Sequence, residues 1–464
     1  MVFSSFSFLL VFLPAVLACY YAVPGARGKK TVLCLFSLVF YAWGEPVYVL
    51  LMIASVLANY FLGLAMERYP KGKKPLLALS LALNLGALGY FKYADFLLSN
   101  INGAFSLHLP LVHVALPIGI SFYTFQILSY VIDVYRGNTA AQHSLLSLTT
   151  YIAMFPQLVA GPIVRYGTVR EELLSPRVSL ADFSDGLCRF LFGLGKKVLI
   201  ANQMARAADA VFDAPGGAPG VALWIGALCY TMQIYFDFSG YSDMAIGLGR
   251  IFGFHFLENF HYPYVACSVT EFWRRWHISL SSWFREYVYI PLGGNRKGVS
   301  RQILNMLIVW LLTGLWHGAS WNFLLWGLYY ALLLILEKHL WGNGWARLPT
   351  WVRRPCTFFL VVMGWVLFRV EDLGRLGQTL AAMFTMSGGG AGAFFMENAN
   401  ALSPLLLLPA ALIGCLPVKE RILRRLNERK WLPGLRRTAA FLIWLASLAM
   451  LLGETYNPFI YFRF

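Results

Sequence analysis

Two histidines stand in tryptophan-rich surroundings: Trp273-Arg274-Arg275-Trp276-His277 and, further along, Trp316-His317-Gly318. An imidazole within or beside a bilayer is costly unless it has a partner or a task, so each is a candidate functional group. A neutral imidazole, with an unperturbed pKa of about 6.5, can take the proton of a hydroxyl at neutral pH, and desolvation keeps it neutral. Beside His277 stand Arg274, Arg275, Arg285 and Arg296, a basic patch suited to a phosphate-rich ligand. Around His317, Gly314 and Gly318 allow another backbone, or a substrate, to come close. Plainer readings stand beside these. The arginines and tryptophans suit an interfacial amphipathic helix, and a lone histidine can simply hydrogen-bond across helices. Asp237 and Asp243, with Ser239 and Tyr241 between them, either line an internal site or form ion pairs with basic residues.

The elements that must hold these groups are membrane helices. The chain has 464 residues, 58% of them hydrophobic and 13% charged, against about 25% charged in soluble domains. An all-α polytopic membrane protein follows. Apolar runs at 2–21, 31–43, 47–66, 76–98, 114–134, 221–236, 303–315, 323–336, 357–368, 402–416 and 438–452 predict about ten to twelve crossings, the shorter ones tilted or re-entrant. The first run lacks a basic start and a small-residue cleavage site, so it reads as a retained helix rather than a leader. The net charge of +16 is carried by basic loops (Arg27, Lys29 and Lys30; Arg68, Lys71, Lys73 and Lys74; 421–437), the pattern of cytoplasmic loops rather than of nucleic-acid binding. Loops 99–113 and 213–220, almost free of Lys and Arg, are expected outside, as are both termini. The seven cysteines are scattered singly, with no metal-ligand spacing, and read as core residues; no metal is expected.

No linker or repeat divides the chain, so a single domain over 1–464 is expected, with a catalytic core at about 115–340 and C-terminal helices with an aromatic tail at 355–464. The stretch 155–297 is unusually rich in Asp, Glu, Arg, His, Gly and Pro. Irregular backbone at membrane depth is tolerated only where protein or a cavity surrounds it, which makes this third the wall of a wet internal site. Ser268 and Glu271 form a capping box that predicts a helix running to about Ile290. Its wheel places Trp276, Leu280, Trp283, Phe284 and Tyr287 on one arc, and Arg274, His277, Ser281 and Arg285 on the next.

Taken together, residues 273–285 and 314–318 resemble the two signature segments of the membrane-bound O-acyltransferase (MBOAT) family. The segments Phe155-Pro156-Gln157-Leu158-Val159-Ala160-Gly161-Pro162-Ile163, Tyr235-Phe236-Asp237-Phe238-Ser239-Gly240-Tyr241-Ser242-Asp243, Tyr289-Ile290-Pro291-Leu292-Gly293-Gly294-Asn295-Arg296-Lys297-Gly298 and the opening Met1-Val2-Phe3-Ser4-Ser5 extend the resemblance over essentially the whole chain. It is nearest to the alginate O-acetyltransferase branch of bacterial polysaccharide acetylation proteins. The end, Asn457-Pro458-Phe459-Ile460-Tyr461-Phe462-Arg463-Phe464, resembles the C-terminal aromatic motif of bacterial polymer-acylation systems, in which a tyrosine is proposed to carry the acyl group; an interfacial aromatic belt is the plainer reading.

The resemblance implies transmembrane helices with re-entrant and interfacial helices around a central tunnel. It implies an acetyl group moving from a cytoplasmic thioester, acetyl-CoA or an acyl-phosphopantetheine carrier, toward hydroxyls of an exported polysaccharide, with no tightly bound cofactor. His317 would be the general base and His277 would support donor placement or proton handling. Arg274, Arg275, Ser281, Arg285, Asp237, Asp243, Trp316 and Asn322 would bind the donor or line the tunnel, and Tyr461 would be the acyl relay. An extracytoplasmic serine hydrolase-like (SGNH) acetyltransferase is the expected partner, membrane lipids the surroundings, and the bacterial cytoplasmic membrane the location. Export of D-alanine to teichoic acid is an alternative, and a transporter with a buried histidine relay is another.

Overall fold

The computed structural model describes residues 2–418, 420–422, 431–453 and 456–458. The helices that matter here are α1 (Ser7–Ala22), α2 (Gly25–Gly44), α3 (Tyr48–Arg68), α4 (Pro70–Phe105), α5 (Ile120–Arg136), α6 (Leu180–Gly195), α7 (Asn202–Phe212), α8 (Gly220–Ile251), α9 (Val269–Arg275), α10 (Ile278–Phe284), α11 (Val299–His317), α12 (Trp321–Arg347), α13 (Thr350–Arg369) and α14 (Leu432–Gly453). Among the described residues every one of these elements is helical, as the composition requires.

Among the described residues seven helices are long and apolar enough to cross a membrane: α3, α4, α8, α11, α12, α13 and α14. The count becomes eight if the pair Ala391–Glu397 and Ala399–Gly414, bent by 88°, is one broken span. This is fewer than the ten to twelve expected from apolar runs, for local reasons. Helix α2 opens on Arg27, Lys29 and Lys30, and α1 is short. Helix α5 is buried at every position from Ile120 to Val131, so its apolar run meets protein on all sides.

The residues fall into two compact units, Met1–Phe190 with Tyr241–Leu257, and Leu191–Gly240 with Glu258–Phe464. In the first, the opening residues are core. Phe3 is 1% exposed and stacks on Tyr241 at 4.7 Å, within a cluster of Phe8, Phe12, Phe40 and Phe155. Helices α3 and α4 are tied by a buried polar cluster in which Ser80 donates to Asn59 Oδ1 at 2.6 Å and Asn84 Nδ2 donates to the same oxygen at 3.0 Å. Apolar surroundings give such cross-helix bonds no competing water.

The second unit contains both signature histidines. In it α11 crosses close to α12: a Cβ on Gly314 would lie 2.3 Å from the Phe323 carbonyl, and one on Gly327 2.4 Å from the Trp310 carbonyl. Gly314 therefore admits a neighbouring helix backbone, which is the close approach its smallness allows. Between α6 and α7 the chain passes through a wide π turn, Lys196–Ala201, whose closing bond runs from Asn202 N–H to the Lys197 carbonyl.

Candidate active site

The capping box opens α9: the Ser268 hydroxyl accepts from Glu271 N–H at 3.1 Å, and the Glu271 carboxylate accepts from Cys267 N–H at 2.8 Å. The helix does not run on to Ile290. It ends at Arg275, and His277 turns left-handed with φ 44° before α10 begins. This corrects the single helical wheel: residues before and after the break no longer share one phase, so the two arcs drawn across it dissolve. A non-glycine residue in this conformation costs about 1–3 kcal/mol, and surrounding structure must hold it there.

The segment around Asn259 does so. Backbone bonds run from His261 N–H to the Arg275 carbonyl (2.9 Å) and from Ile278 N–H to the Asn259 carbonyl (3.0 Å), bracketing the break on both sides. Asn259 Oδ1 also accepts from Ser279 N–H at 3.1 Å and from the Ser279 hydroxyl at 2.9 Å, and it lies 3.2 Å from His277 Nδ1. The His277 ring is 1% exposed, with Phe238 at 4.6 Å and Trp316 at 5.9 Å. Burial pushes the imidazole down to about 3, so it is neutral at physiological pH.

That shift has a consequence for stability. The unfolded chain protonates this side chain near about 6.5 and the folded chain only at about 3. Between those values the unfolded chain holds more protons, so stability is complete above about 6.5 and declines as the pH falls toward 3. Thermal denaturation of the detergent-solubilised protein is expected to show this decline, and His277→Gln to lack its contribution.

His317 closes the last turn of α11 and is 8% exposed. Its ring meets Trp316 at 5.0 Å, Trp326 at 5.1 Å and Phe368 at 5.2 Å, each edge to face, an arrangement that orients an imidazole by shape. Trp316 touches both imidazoles, so the two histidines share one indole as a neighbour.

The other expected site residues divide. Trp316 is in this cluster. Asn322, fully buried, donates to the Phe368 carbonyl at 3.1 Å, so it fixes the end of α13 and with it the Phe368 ring on His317. Ser281 reaches the Trp273 carbonyl at 3.4 Å. Arg274 and Arg285 are exposed, whereas Arg275 is engaged by Glu271 at 2.8 Å and by His261. Asp237 pairs with Lys197 at 2.8 Å, their side chains 2% and 3% exposed. Asp243 lies in the first unit and pairs with Arg189 at 2.9 Å. Tyr461 lies outside the described residues. The tail just before it is described and docked: Tyr456 OH donates to Asp209, Asn202 Nδ2 donates to Asn457 Oδ1 at 3.1 Å, and Lys197 Nζ donates to the Pro458 carbonyl.

Asn259, Ser279, Trp326, Phe368 and Lys197 did not emerge from the sequence. A lysine in the apolar stretch 190–201 demands a partner and was a usable signal for Lys197. Asn259 carried none, since it sits in a loop and reaches His277 through the fold.

Known proteins resemble this chain in sequence. Residues 138–370 match the sequence profile of MBOAT, the membrane-bound O-acyltransferase family. The chain is 40% identical to the probable alginate O-acetylase AlgI of Pseudomonas putida over 100% of both chains. It is 34% identical to the peptidoglycan O-acetyltransferase of Helicobacter pylori, over 84% of this chain and 80% of that one. It is 29% identical to the teichoic acid D-alanyltransferase of Bacillus subtilis, over 54% and 68%. With both signature histidines buried around one indole inside a multi-pass helical protein, the chain belongs to the membrane-bound O-acyltransferase family and is an O-acyltransferase.

Proposed function

We propose that this enzyme moves an acetyl group from a cytoplasmic thioester toward hydroxyls of an exported polysaccharide, with His317 as the general base. The observation that carries the reading is the pair of buried imidazoles that both contact Trp316, inside the segment matched by the family. In the reaction, His317 takes the acceptor's hydroxyl proton as its oxygen attacks the thioester carbonyl. The tetrahedral oxyanion collapses, the C–S bond breaks as the ester forms, and the thiolate recovers the proton from the imidazolium. The donor is acetyl-CoA or an acyl-phosphopantetheine carrier. The exposed Arg274 and Arg285 suit its phosphates. No group need stay bound between turnovers.

The full-length likeness to an alginate O-acetylase and the likeness to a peptidoglycan O-acetyltransferase support acetyl as the cargo and a polysaccharide as the final acceptor. A bacterial cytoplasmic membrane and an extracytoplasmic serine hydrolase-like partner fit that direction of transfer. The D-alanyl reading rests on a relative matched over about half of this chain. Membership of an enzyme family leaves the transporter reading without support.

In this scheme Tyr461 receives the acetyl first, and docking of residues 456–458 in the unit that holds His317 supports such a tail. Incubating the purified protein with acetyl-CoA is expected to place an acetyl ester on Tyr461, visible as a mass increase of the C-terminal peptide that Tyr461→Phe abolishes. Hydrolysis dependent on His317 with no modified peptide would remove the relay and leave the transferase. D-alanyl thioester outcompeting acetyl thioester would change the cargo.

A further inference from the structure

Asn259 holds the key to which nitrogen of His277 can accept a proton. Its amide orientation is set independently of the histidine: the Ser279 backbone N–H, 3.1 Å away, can only donate, so the atom facing it must be the amide oxygen. The Ser279 hydroxyl donates to the same oxygen at 2.9 Å. His277 Nδ1 faces that oxygen at 3.2 Å. An unprotonated Nδ1 would set two lone pairs against each other in a site where Asn259 and His277 are each 1% exposed, so Nδ1 carries the hydrogen. The competing contact, Ser279 Oγ to His277 Nδ1, is longer at 3.5 Å, and that hydroxyl is already committed to the amide. The lone pair is then left on Nε2, which has no hydrogen-bond partner among the described residues and belongs to a ring wedged between Phe238 and Trp316.

We infer that Asn259 is a positioning residue for acyl transfer: it locks His277 in the Nδ1–H tautomer and so makes Nε2 the proton-accepting atom of the ring that shares Trp316 with His317. The inference deepens the transfer reading and rests on it for the word transfer, whereas the tautomer is a property of the resting protein. The same residue holds the left-handed turn through its backbone carbonyl, which accepts from Ile278 N–H whatever its side chain, so the backbone clamp and the tautomer lock are separable by substitution.

The test uses the full chain in lipid nanodiscs with nitrogen-15-labelled histidine, His277 being assigned by the signal lost in His277→Gln. The wild-type spectrum is expected to show a protonated Nδ1 and an unprotonated Nε2. Asn259→Ala is expected to shift population to the other tautomer and to slow transfer from acetyl-CoA by at least about tenfold. Asn259→Asp, which keeps an acceptor in place, is expected to retain the Nδ1–H pattern and stay within about tenfold of the wild-type rate. A wild-type spectrum with hydrogen on Nε2 overturns the inference, and needs no folded variant. An unchanged tautomer in Asn259→Ala alongside slowed transfer also overturns it, reducing Asn259 to packing. If the spectra behave as expected and transfer is unaffected, His277 takes no proton in the reaction and the positioning role falls. If the wild type itself transfers no acetyl, the fault lies with the proposed donor, and the tautomer assignment is judged on the spectra alone.

Discussion

Replacement of His317 by glutamine is expected to lower acetyl transfer by about 10²–10⁴-fold while the protein remains folded, because a positioned general base typically contributes that much. Glutamine is the informative choice. The ring lies against Trp316, Trp326 and Phe368, so alanine would leave a void among them in addition to removing the base. Glutamine keeps most of the volume and cannot act as a base near neutrality. Radiolabelled acetyl-CoA and a purified acceptor provide the rate, and gel filtration with thermal denaturation provides the state of the fold. If His317→Gln transferred at the wild-type rate, the base would have to be sought elsewhere, with His277 Nε2 the nearest alternative on the same indole.

The second large effect concerns Lys197 and Asp237, whose charges meet at 2.8 Å with almost no exposure. Lys197→Ala strands a buried carboxylate, and removing one partner of such a pair typically destabilises by about 3–5 kcal/mol. The paired replacement Lys197→Met with Asp237→Leu removes both charges and is expected to recover most of that loss, as read by thermal denaturation. The two proteins also separate stability from function. Lys197 donates to the Pro458 carbonyl, so the stable double variant lacks that anchor of the tail. Its transfer rate then reports on tail docking without a folding defect. Equal instability of the single and double variants would show that the loss does not come from a stranded carboxylate and that apolar side chains do not replace the pair.

Fold class and site were legible to different depths. The all-helical membrane character followed from bulk composition, and the two histidine segments from residue types that membranes tolerate only for a reason. The number of crossings was not legible, because an apolar run such as 120–131 reads the same whether lipid or protein surrounds it. Periodicity also carried the helix after Ser268 straight through His277. Nothing in local propensity marks a left-handed histidine there, since the turn is imposed by a pairing with residues 259–261 that the sequence places in an unremarked loop. Asn322 was found for its company near His317, but its hydrogen bond to the end of α13 came only with the fold.

The wide turn at 196–201 has a consequence for sequence alignment and for mutation alike. Lys197 and Asn202 are five positions apart, a spacing that an ordinary α-helix would swing to directions about 140° apart. The five-residue closure, Asn202 N–H to the Lys197 carbonyl, brings one above the other, and both grip the same strip of C-terminal chain. A one-codon insertion between them would leave both grasping side chains present and the helix unbroken, yet six positions along an ordinary α-helix lie about 120° apart, so its two fingers would point in different directions. Register, and not chemistry, would be the thing lost.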